Sequence, residues 1–596
     1  MKKERAIVDE PDISGNVFSP VYHVRITICF ILAASTIILQ VGFRLTEAQM
    51  YYVQFTEQIL VAVFFIVTLI RVFSSNSLFK AIRNNAIELF LAGFIILQLL
   101  LVQFGSPYVE EYQITSAFLV KLYFLTVQTY LIYILLQYLY QSGQSMIMVG
   151  QHPSLIFATS FGIIILLGTF MLLLPRSTSG TIRPNISLID ALFTASSAVC
   201  VTGLQVVDTA TVFSRFGQCV IMFLIQIGGL GLMTLVGFFS LVVSHQRNLR
   251  SRLFLQDVLS TQNVYNLSSL LIIILLSTLF LEAIGASVLI LGFSRYPEAT
   301  ENAVFHGIFH AVSAFCNAGF STFSNNLENY PTDPLILLPV MLLLTLGGLG
   351  FPVLYESTYK LTSMLPPWNR TRKRHMYSIH TRIVLRSTLL LILLGIIAML
   401  LSGKWHSEHS FSYIFWSSLF HGVAPRTAGF NAVPMIQFAP WGLIIIMMLM
   451  FIGAAPGGTA GGVKVTTVSL LYYSGKAMSK GRPRVEVMNR TLPEHVVRSA
   501  FLIIGFALCY LSAALVLLVW AEPELPFFDL LFELISAFGT SGLSLGITPQ
   551  LSPTGKLIII LSMFVGRVGP FTVFLAIFQK QAEPLYRYPR GTVIVG

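Results

Sequence analysis

A short glycine-containing segment occurs four times in this chain at a nearly constant spacing. The copies read SSAVCVTGLQVV around Gly203, VSAFCNAGFSTF around Gly319, HGVAPRTAGFNAV around Gly429 and ISAFGTSGLSLG around Gly542. In each copy the residue before the glycine is small and the residue after it is large and apolar. Because self-similarity at a fixed period, here about 113 residues, marks a repeated structural unit, the chain is predicted to fold as four copies of one unit.

Apolar runs long enough to cross a membrane flank these copies. One of them, LLIIILLSTLFLEAIGASVLIL at 270–291, exceeds the roughly 20 residues that a transmembrane helix needs. Of the 596 residues, 55% are hydrophobic and 11% are charged, whereas charged residues make up about a quarter of a soluble protein. The sequence therefore predicts an all-α polytopic membrane protein.

The net charge of +11 would suit a nucleic-acid-binding protein, but the positions of the basic residues favour a membrane explanation. They concentrate in three connections between apolar runs, namely Arg247, Arg250 and Arg252; Arg370, Arg372, Lys373, Arg374 and Arg382; and Lys476, Lys480, Arg482, Arg484 and Arg490. Lys and Arg mark cytoplasmic loops. We therefore expect a lipid bilayer, and no nucleic acid, around this chain.

Each copy reads as a long apolar span, a segment too short to cross, the glycine, and a second long span. Two crossings per copy give all copies one orientation and place the glycines on the outer side. Non-helical backbone at membrane depth occurs only where it is buried in protein or lines a watery cavity, which predicts a pseudo-fourfold pore among four parallel membrane–pore–membrane repeats. Glycine lets consecutive carbonyls turn toward a cation. Close-packing glycines are the alternative, but four in register favour a cation filter.

The predicted organisation follows from these spans. It comprises a cytoplasmic N-terminus at 1–24, an N-terminal four-helix membrane domain at 25–145, repeats one to four at 150–250, 262–364, 378–476 and 494–582, and a short cytoplasmic tail at 583–596.

Four candidate spans precede the repeats, near 25–42, 52–72, 85–103 and 116–140. The last carries Lys121 but no regularly spaced arginines, so little gating charge could move there. The sequence favours a structural or dimer-flanking role for this domain over sensing.

The second span of repeat three cannot be one regular helix. Its sequence, FIGAAPGGTAGGVKVTT, contains Gly453, Pro456, Gly457, Gly458, Gly461 and Gly462. Glycine and proline disfavour helix interiors, so this span is predicted to break. Lys464, which ends the broken segment, is either a gate residue or a lysine that snorkels to the membrane surface.

Two arginines occupy positions where a charge is costly. Arg567 lies within the apolar span of repeat four, as either a functional charge or the partner of a buried carboxylate such as Glu533. Arg426 precedes the third glycine segment. We interpret it as an anchor behind the filter, because a cation facing the pathway would repel the permeant ion.

The four segments resemble the Trk/Ktr/HKT superfamily of potassium transporters, and are closest to the Ktr-type membrane subunit. The resemblance rests on AVCVTGLQVVDT, SAFCNAGFSTFSNNL, APRTAGFNAV and SAFGTSGLSLGITPQLS and covers about residues 150 to 580. It implies K⁺ binding at the four glycines, with serine at the first in many sodium-selective relatives. The implied filter residues are Val201, Thr202, Gly203, Asn317, Ala318, Gly319, Thr427, Ala428, Gly429, Thr540, Ser541 and Gly542.

The resemblance also implies a gate and partners. The broken segment with Lys464 is similar to the family's intramembrane loop below the filter, and Arg567 matches an arginine placed close to that loop. Family members form homodimers on a cytoplasmic ring of nucleotide-binding regulatory subunits. We expect that ring on a separate chain, because about 15 residues after the last span leave no room for a nucleotide-binding domain.

The resulting expectation is potassium uptake down its electrochemical gradient, in the cell inner (cytoplasmic) membrane, with no cofactor in this chain. A coupled secondary cation transporter, sodium- or proton-linked, is the alternative; such proteins commonly use inverted repeats. An enzyme is not expected, because the polar residues inside the spans, including His310 and His421, form no nucleophile–base or metal-ligand set.

Overall fold

The protein, seen in a computed structural model, divides into two compact units, Met1–Gly150 and Gln151–Gly596. The described residues are 45–73, 153–179, 186–244, 267–364, 377–405 and 410–569, with scattered positions between 32 and 130. In the first unit, helix α1 covers Glu47–Phe73, where one span is predicted. The predicted span near 85–103 is described at scattered positions, all of them helical, whereas the predicted spans near 25–42 and 116–140 lie largely, and the predicted tail at 583–596 wholly, outside the described residues.

The first half of the second unit is helical. Its helices are, in chain order, α2 (Pro153–Leu173), α3 (Leu188–Val199), α4 (Thr209–Val212), α5 (Arg215–Ser244), α6 (Leu267–Phe293), α7 (Pro297–Thr300), α8 (Ala303–Phe315), α9 (Pro334–Leu349) and α10 (Phe351–Met364).

The described part of the second half consists of helices, one two-stranded hairpin, short 3₁₀ turns at Met435–Gln437 and Thr548–Gln550, and their connections. Its elements are α11 (Ile379–Ser402), α12 (Phe411–Val423), α13 (Pro440–Phe451), α14 (Val465–Ser479), β1 (Glu486–Val487), β2 (Arg490–Thr491), α15 (Glu494–Ala521), α16 (Phe527–Gly539) and α17 (Pro553–Val568). Strands β1 and β2 pair antiparallel, Glu486 opposite Thr491.

A short helix of 12 or 13 residues precedes each of the four glycine segments. These four short helices are α3, α8, α12 and α16. The helix after each glycine packs against the short helix of the next repeat: α5 on α8, α9 on α12, α13 on α16, and α17 on α3. Since the last of these contacts returns to the first repeat, the four contact each other in cyclic order.

Two of the helices that follow the glycines are interrupted. The chain breaks between α13 and α14, as the sequence predicts, and it also bends by 103° between α9 and α10. The bend is at Gly350, whose φ of 85° lies in the left-handed region that side chains disfavour. This second break is not among the predicted ones: the string LGGLG has the apolar composition of a continuous span, although Pro352 follows two residues after Gly350.

The helix that begins each repeat presents apolar side chains outward. Exposed examples are Leu166, Leu279, Phe280, Leu393, Leu394, Val516 and Trp520. Within the described residues, four helices are long and apolar enough to cross a membrane, or five if α9 and α10 form one bent span. Outward apolar surface on this scale needs lipid around it. The chain is therefore a multi-pass helical membrane protein.

A largely buried ion pair joins the first and last repeats. Lys556 Nζ in α17 donates to Asp190 Oδ1 in the first turn of α3 at 2.7 Å, and both side chains are 15% exposed. Removing one partner leaves the other charge without compensation in a poorly solvated site.

We therefore expect Asp190→Asn to destabilise the fold by about 1 to 3 kcal/mol, between the costs of exposed and fully buried pairs. Glu486→Gln is the control, because it breaks an Arg482–Glu486 pair whose side chains are 57% and 50% exposed. Thermal unfolding of the purified protein in detergent measures both. Equal melting temperatures for the two variants would show that the Asp190–Lys556 pair does not hold repeats one and four together.

Candidate functional site

Three of the four short helices end in the same hydrogen-bonded turn. In each, the N–H of the residue before the glycine donates to the carbonyl oxygen of the residue five positions earlier. These bonds join Thr202 to Ser197 at 2.8 Å, Ala318 to Ser313 at 2.7 Å and Ser541 to Ser536 at 2.8 Å. This is a Schellman turn, which needs one left-handed residue. In repeat three, where Pro425 follows the end of the helix, the N–H of Ala428 instead donates to the Ala424 carbonyl at 3.0 Å.

The backbone before each glycine adopts an unusual conformation, repeated in all four copies. The residue two positions earlier has positive φ: 57° at Val201, 62° at Asn317, 68° at Thr427 and 49° at Thr540. The glycines have φ values of 93°, 68°, 69° and 79°. A β-branched residue in the left-handed region is a genuine outlier, and such strain concentrates at functional sites. We call residues 201–203, 317–319, 427–429 and 540–542 the filter segments.

The four glycines meet one another, and no side chain fits between them. A Cβ atom added at Gly319 would lie 2.7 Å from the carbonyl carbon of Gly429 and 2.8 Å from the carbonyl oxygen of Ala428. One added at Gly429 would lie 3.1 Å from the Ser541 oxygen and 3.3 Å from the Thr202 oxygen. Those at Gly203 and Gly542 would contact the carbonyl oxygens of Ala318 and Thr202. The carbonyl oxygen before every glycine therefore lies against a glycine of another repeat.

Glycines of the following helices allow close packing behind these segments. A Cβ at Gly228 would collide with the carbonyl oxygen of Val199, one at Gly347 with that of Phe315, and one at Gly566 with that of Phe538. These three carbonyls belong to the last turns of α3, α8 and α16. The glycine-rich strings IGGLG, LGGLG and VGRVGP thus bring one helix backbone directly against the end of a short helix.

The broken span of repeat three lies against the bend of repeat two. We call residues 452–464, between α13 and α14, the intramembrane loop. The N–H of Ala455 donates to Gly348 at 3.0 Å, and the N–H of Thr459 donates to Gly347 at 3.3 Å. The carbonyls at the end of α9 lack helical partners, so the loop satisfies them. In return, the N–H of Phe351 donates to Gly457 at 3.0 Å.

The intramembrane loop also contacts two filter segments. The Thr459 hydroxyl lies 3.0 Å from Asn317 Oδ1 in repeat two, and the N–H of Gly461 donates to Thr540 Oγ1 in repeat four at 2.9 Å. The N–H of Gly462 donates to the carbonyl of Gly566 in α17 at 3.1 Å. Residues that are distant in sequence thus form one site of filter segments and loop.

Two cations border the loop. The buried Arg567 guanidinium donates to the carbonyl oxygens of Thr459 and Gly228. It does not pair with Glu533, whose carboxylate accepts from the Ser544 hydroxyl at 2.8 Å and from Thr548. Among the described residues Arg567 thus has carbonyl partners, and an ion pair with Glu533 is wrong.

Lys464 folds back onto the loop that it ends. Its Nζ donates to the Ala460 carbonyl at 2.6 Å, a contact within the loop rather than an extension toward a membrane surface.

The family model described as TrkH, cation transport protein, matches residues 126–584. The chain belongs to the TrkH family. The resemblance to the Trk/Ktr/HKT superfamily that the four segments predict is thereby confirmed.

Individual relatives are similar over most of their length. The Ktr system potassium uptake protein B of Bacillus subtilis (strain 168) is 36% identical over 450 residues, 74% of this chain and 97% of that protein. The potassium/sodium uptake protein NtpJ of Enterococcus hirae is 36% identical over 454 residues, 74% and 97% of the two chains. The crystal structure of the potassium transporter TrkH from Vibrio parahaemolyticus has the same fold, with a TM-score of 0.58 at 19% identity, over 83% of this chain and 98% of that one.

In this TrkH-family protein, Arg426 lies in the wall between repeats two and three. It is 8% exposed and lines a small cavity with Leu344, Gly348, Val423 and Ala454. Its Nε has no hydrogen-bond partner within the part of the chain that the structure describes.

Some carboxylates near the glycine end of the TrkH-family fold serve local structure. Asp333 caps α9 and accepts from the Tyr296 hydroxyl at 3.0 Å, and Glu522 accepts from the N–H of Ser552 at 2.7 Å. Partial burial raises the pKa of the Glu328 carboxyl above its usual range. Asp333 and Glu522 therefore act as structural acceptors.

The part of the TrkH-family chain that the structure describes contains no metal site built from side-chain ligands. No cluster of three or more His, Cys, Asp or Glu side chains occurs there. His310 contacts the His306 carbonyl at 2.7 Å and Ser321 Oγ at 3.0 Å. His421 contacts the Ser417 carbonyl at 3.0 Å, so both rings serve local structure.

Proposed function

We propose that this TrkH-family protein mediates potassium uptake across the cytoplasmic membrane through a channel-like pore whose filter is formed by the four filter segments. One observation carries the proposal: the carbonyl oxygens of Thr202, Ala318, Ala428 and Ser541 all lie against the four meeting glycines. Backbone carbonyls can replace the hydration shell of K⁺. The transported ion is the substrate, and the proposal needs no cofactor in this chain.

The cyclic packing of the repeats supports a pseudo-fourfold pore. Each short helix ends at a filter segment, so four helix C-termini, with their partial negative charge, point toward the same place. A cation there is stabilised both by the carbonyls that it touches and by the field of the four helices.

The intramembrane loop is the proposed gate. It contacts filter residues Asn317 and Thr540, and it carries Lys464 and lies against Arg567. A segment in this place obstructs a cation by its volume, and the two cationic side chains oppose the cation by charge. Withdrawal of the loop would open the pathway.

The proposed assembly is a homodimer in the bilayer with a nucleotide-binding regulatory ring on a separate cytoplasmic chain, as the family resemblance implies. The N-terminal unit, which lies largely before the residues that the family model matches, is proposed as an accessory domain. A sodium-coupled transporter is not favoured, because the Ktr relatives are named for potassium uptake; a proton-linked transporter stays the alternative.

Gly203→Ser tests the filter. Gly203 has a φ of 93°, and a Cβ there would contact the Ala318 carbonyl oxygen and lie 3.2 Å from the Gly319 Cα. The serine must displace these neighbours and adds a hydroxyl at the filter wall, so we expect discrimination against sodium to fall by about tenfold, the effect of about 1.4 kcal/mol. Competitive K⁺ and Na⁺ uptake in a potassium-transport-deficient strain measures it.

Gly546→Ser is the matched control for that experiment. Gly546 has a φ of 94°, but a Cβ there would meet nothing within 4 Å, so the backbone strain is alike and only the location differs. Unchanged ion preference in Gly203→Ser at normal expression would count against Gly203 as part of a filter.

A further inference from the structure

The filter segments and the intramembrane loop share one chain of hydrogen bonds. The Thr459 hydroxyl lies 3.0 Å from Asn317 Oδ1 and 3.2 Å from the Phe315 carbonyl oxygen. Asn317 Nδ2 in turn donates to Thr427 Oγ1 at 3.3 Å. These hydrogen bonds thus connect the loop, the filter segment of repeat two and the filter segment of repeat three. All of the side chains that form them are buried.

A second hydrogen bond links the loop to repeat four, where Thr540 Oγ1 accepts from the N–H of Gly461. The side chains that take part, Asn317, Thr427 and Thr540, are the left-handed residues two positions before their glycines. The equivalent residue of repeat one, Val201, has no side chain that can hydrogen-bond. The loop is therefore hydrogen-bonded directly to the filter segments of repeats two and four, and it is linked through Asn317 to the filter segment of repeat three.

These hydrogen bonds involve the filter residues whose backbone is strained, Asn317, Thr427 and Thr540. A left-handed non-glycine residue persists only where its surroundings over-determine its conformation. For Asn317, the side chain is fixed at both ends, by Thr459 and by Thr427. Any withdrawal of the loop must remove the Thr459 and Gly461 contacts, so it also changes what holds the filter segments in place.

We propose that Thr459 is a positioning residue that couples the intramembrane loop to ion selectivity, through Asn317. The loop then obstructs the pathway and, in the same position, holds the filter in its potassium-selective geometry. Since coupling between two sites is reciprocal, ion occupancy of the filter also biases the position of the loop. This inference rests on the proposed function and adds the regulation of selectivity to it.

The test is a comparison of three variants, with flux and ion preference measured together. Thr459→Val keeps a β-branched shape and removes the hydroxyl, whereas Thr459→Ser keeps the hydroxyl. Thr466→Val is the control, because Thr466 lies just beyond the loop in α14 and the structure gives its hydroxyl no partner in the described part of the chain. Potassium uptake and its inhibition by sodium are measured in proteoliposomes that contain each purified variant.

We expect Thr459→Val to raise potassium flux and to lower the preference for potassium over sodium, each by about fivefold, the factor expected for one net hydrogen bond. Thr459→Ser and Thr466→Val should match wild type in both measurements. If Thr459→Val does not fold, Thr540→Val removes the acceptor of Gly461 and is expected to act in the same direction.

Two results would overturn the coupling. One is unchanged ion preference in a folded Thr459→Val or Thr540→Val variant, whatever its flux. The other is an equal loss of preference in Thr459→Ser, because the hydroxyl would then not be the cause. Neither result affects the proposed pore and gate, which fail instead if Gly203→Ser leaves ion preference unchanged and removal of the loop leaves flux unchanged.

Discussion

Deletion of residues 457–462 is expected to raise potassium flux by about ten- to a hundredfold, because it removes several hydrogen bonds that each contribute about 1 kcal/mol to the closed arrangement. Among them are the bonds of Thr459 with Gly347 and Asn317, and those of Gly461 and Gly462 with repeat four. The deletion is geometrically mild. The N–H of Gly453 donates to the Val463 carbonyl at 2.9 Å, so the two ends of the loop already lie side by side.

Flux into proteoliposomes that contain this chain alone is the measurement, so that a regulatory partner cannot contribute. Arg567→Ala should act in the same direction more weakly, since it removes the charge and leaves the obstruction. Gly475→Ala, in α14 where a Cβ meets nothing within 4 Å, should conduct like wild type. If the deletion and Arg567→Ala are both folded and incorporated but conduct no faster than wild type, the loop is not a gate, and its glycines are packing contacts.

Gly347→Ala is expected to reduce transport by at least about tenfold, since overpacking at a rigid contact costs about 1 to 3 kcal/mol or more. The added Cβ would collide with the Phe315 carbonyl oxygen and lie 2.8 Å from Asn317 Oδ1 and 3.0 Å from Thr459 Oγ1. The end of α8 and the filter segment that follows it would have to move.

The neighbouring glycine provides the control for this prediction. A Cβ at Gly348 would lie 3.4 Å from the Ala454 Cβ and 3.8 Å from Asn317 Nδ2, which are ordinary contacts. Both glycines lie in helix α9, where alanine is favoured over glycine by about 1 kcal/mol, so propensity alone would make both variants more stable. Uptake and melting temperature in the two variants separate the effects. Equal behaviour would mean that Gly347 does not make a close contact behind the filter.

Several features could be predicted from the sequence because their causes are local. Apolar runs of membrane-spanning length require helices, and the helical membrane protein that they predict is confirmed. The glycine- and proline-rich string at 453–462 cannot continue a helix, and the chain does break there. The four aligned segments were sufficient to identify the family, because one composition recurs at one spacing.

Other features depend on contacts between distant residues, and only the tertiary structure decided them. Val201 and Thr540 disfavour positive φ on their own and adopt it where the turns after the short helices require it. The bend at Gly350 occurs where the loop of repeat three supplies hydrogen bonds to the end of α9.

The partners of Arg567 are likewise set by folding. A sequence shows that an arginine lies in an apolar span, but it does not show whether a carboxylate will pair with its charge or carbonyl oxygens will accept its hydrogen bonds. The fold brings together the carbonyls of Thr459 and Gly228, 108 residues before and 339 residues before Arg567 in the chain. Local composition thus determined the membrane helices, the break and the family, whereas the strained filter backbone and its ties to the loop arose from the packing of one repeat against the next.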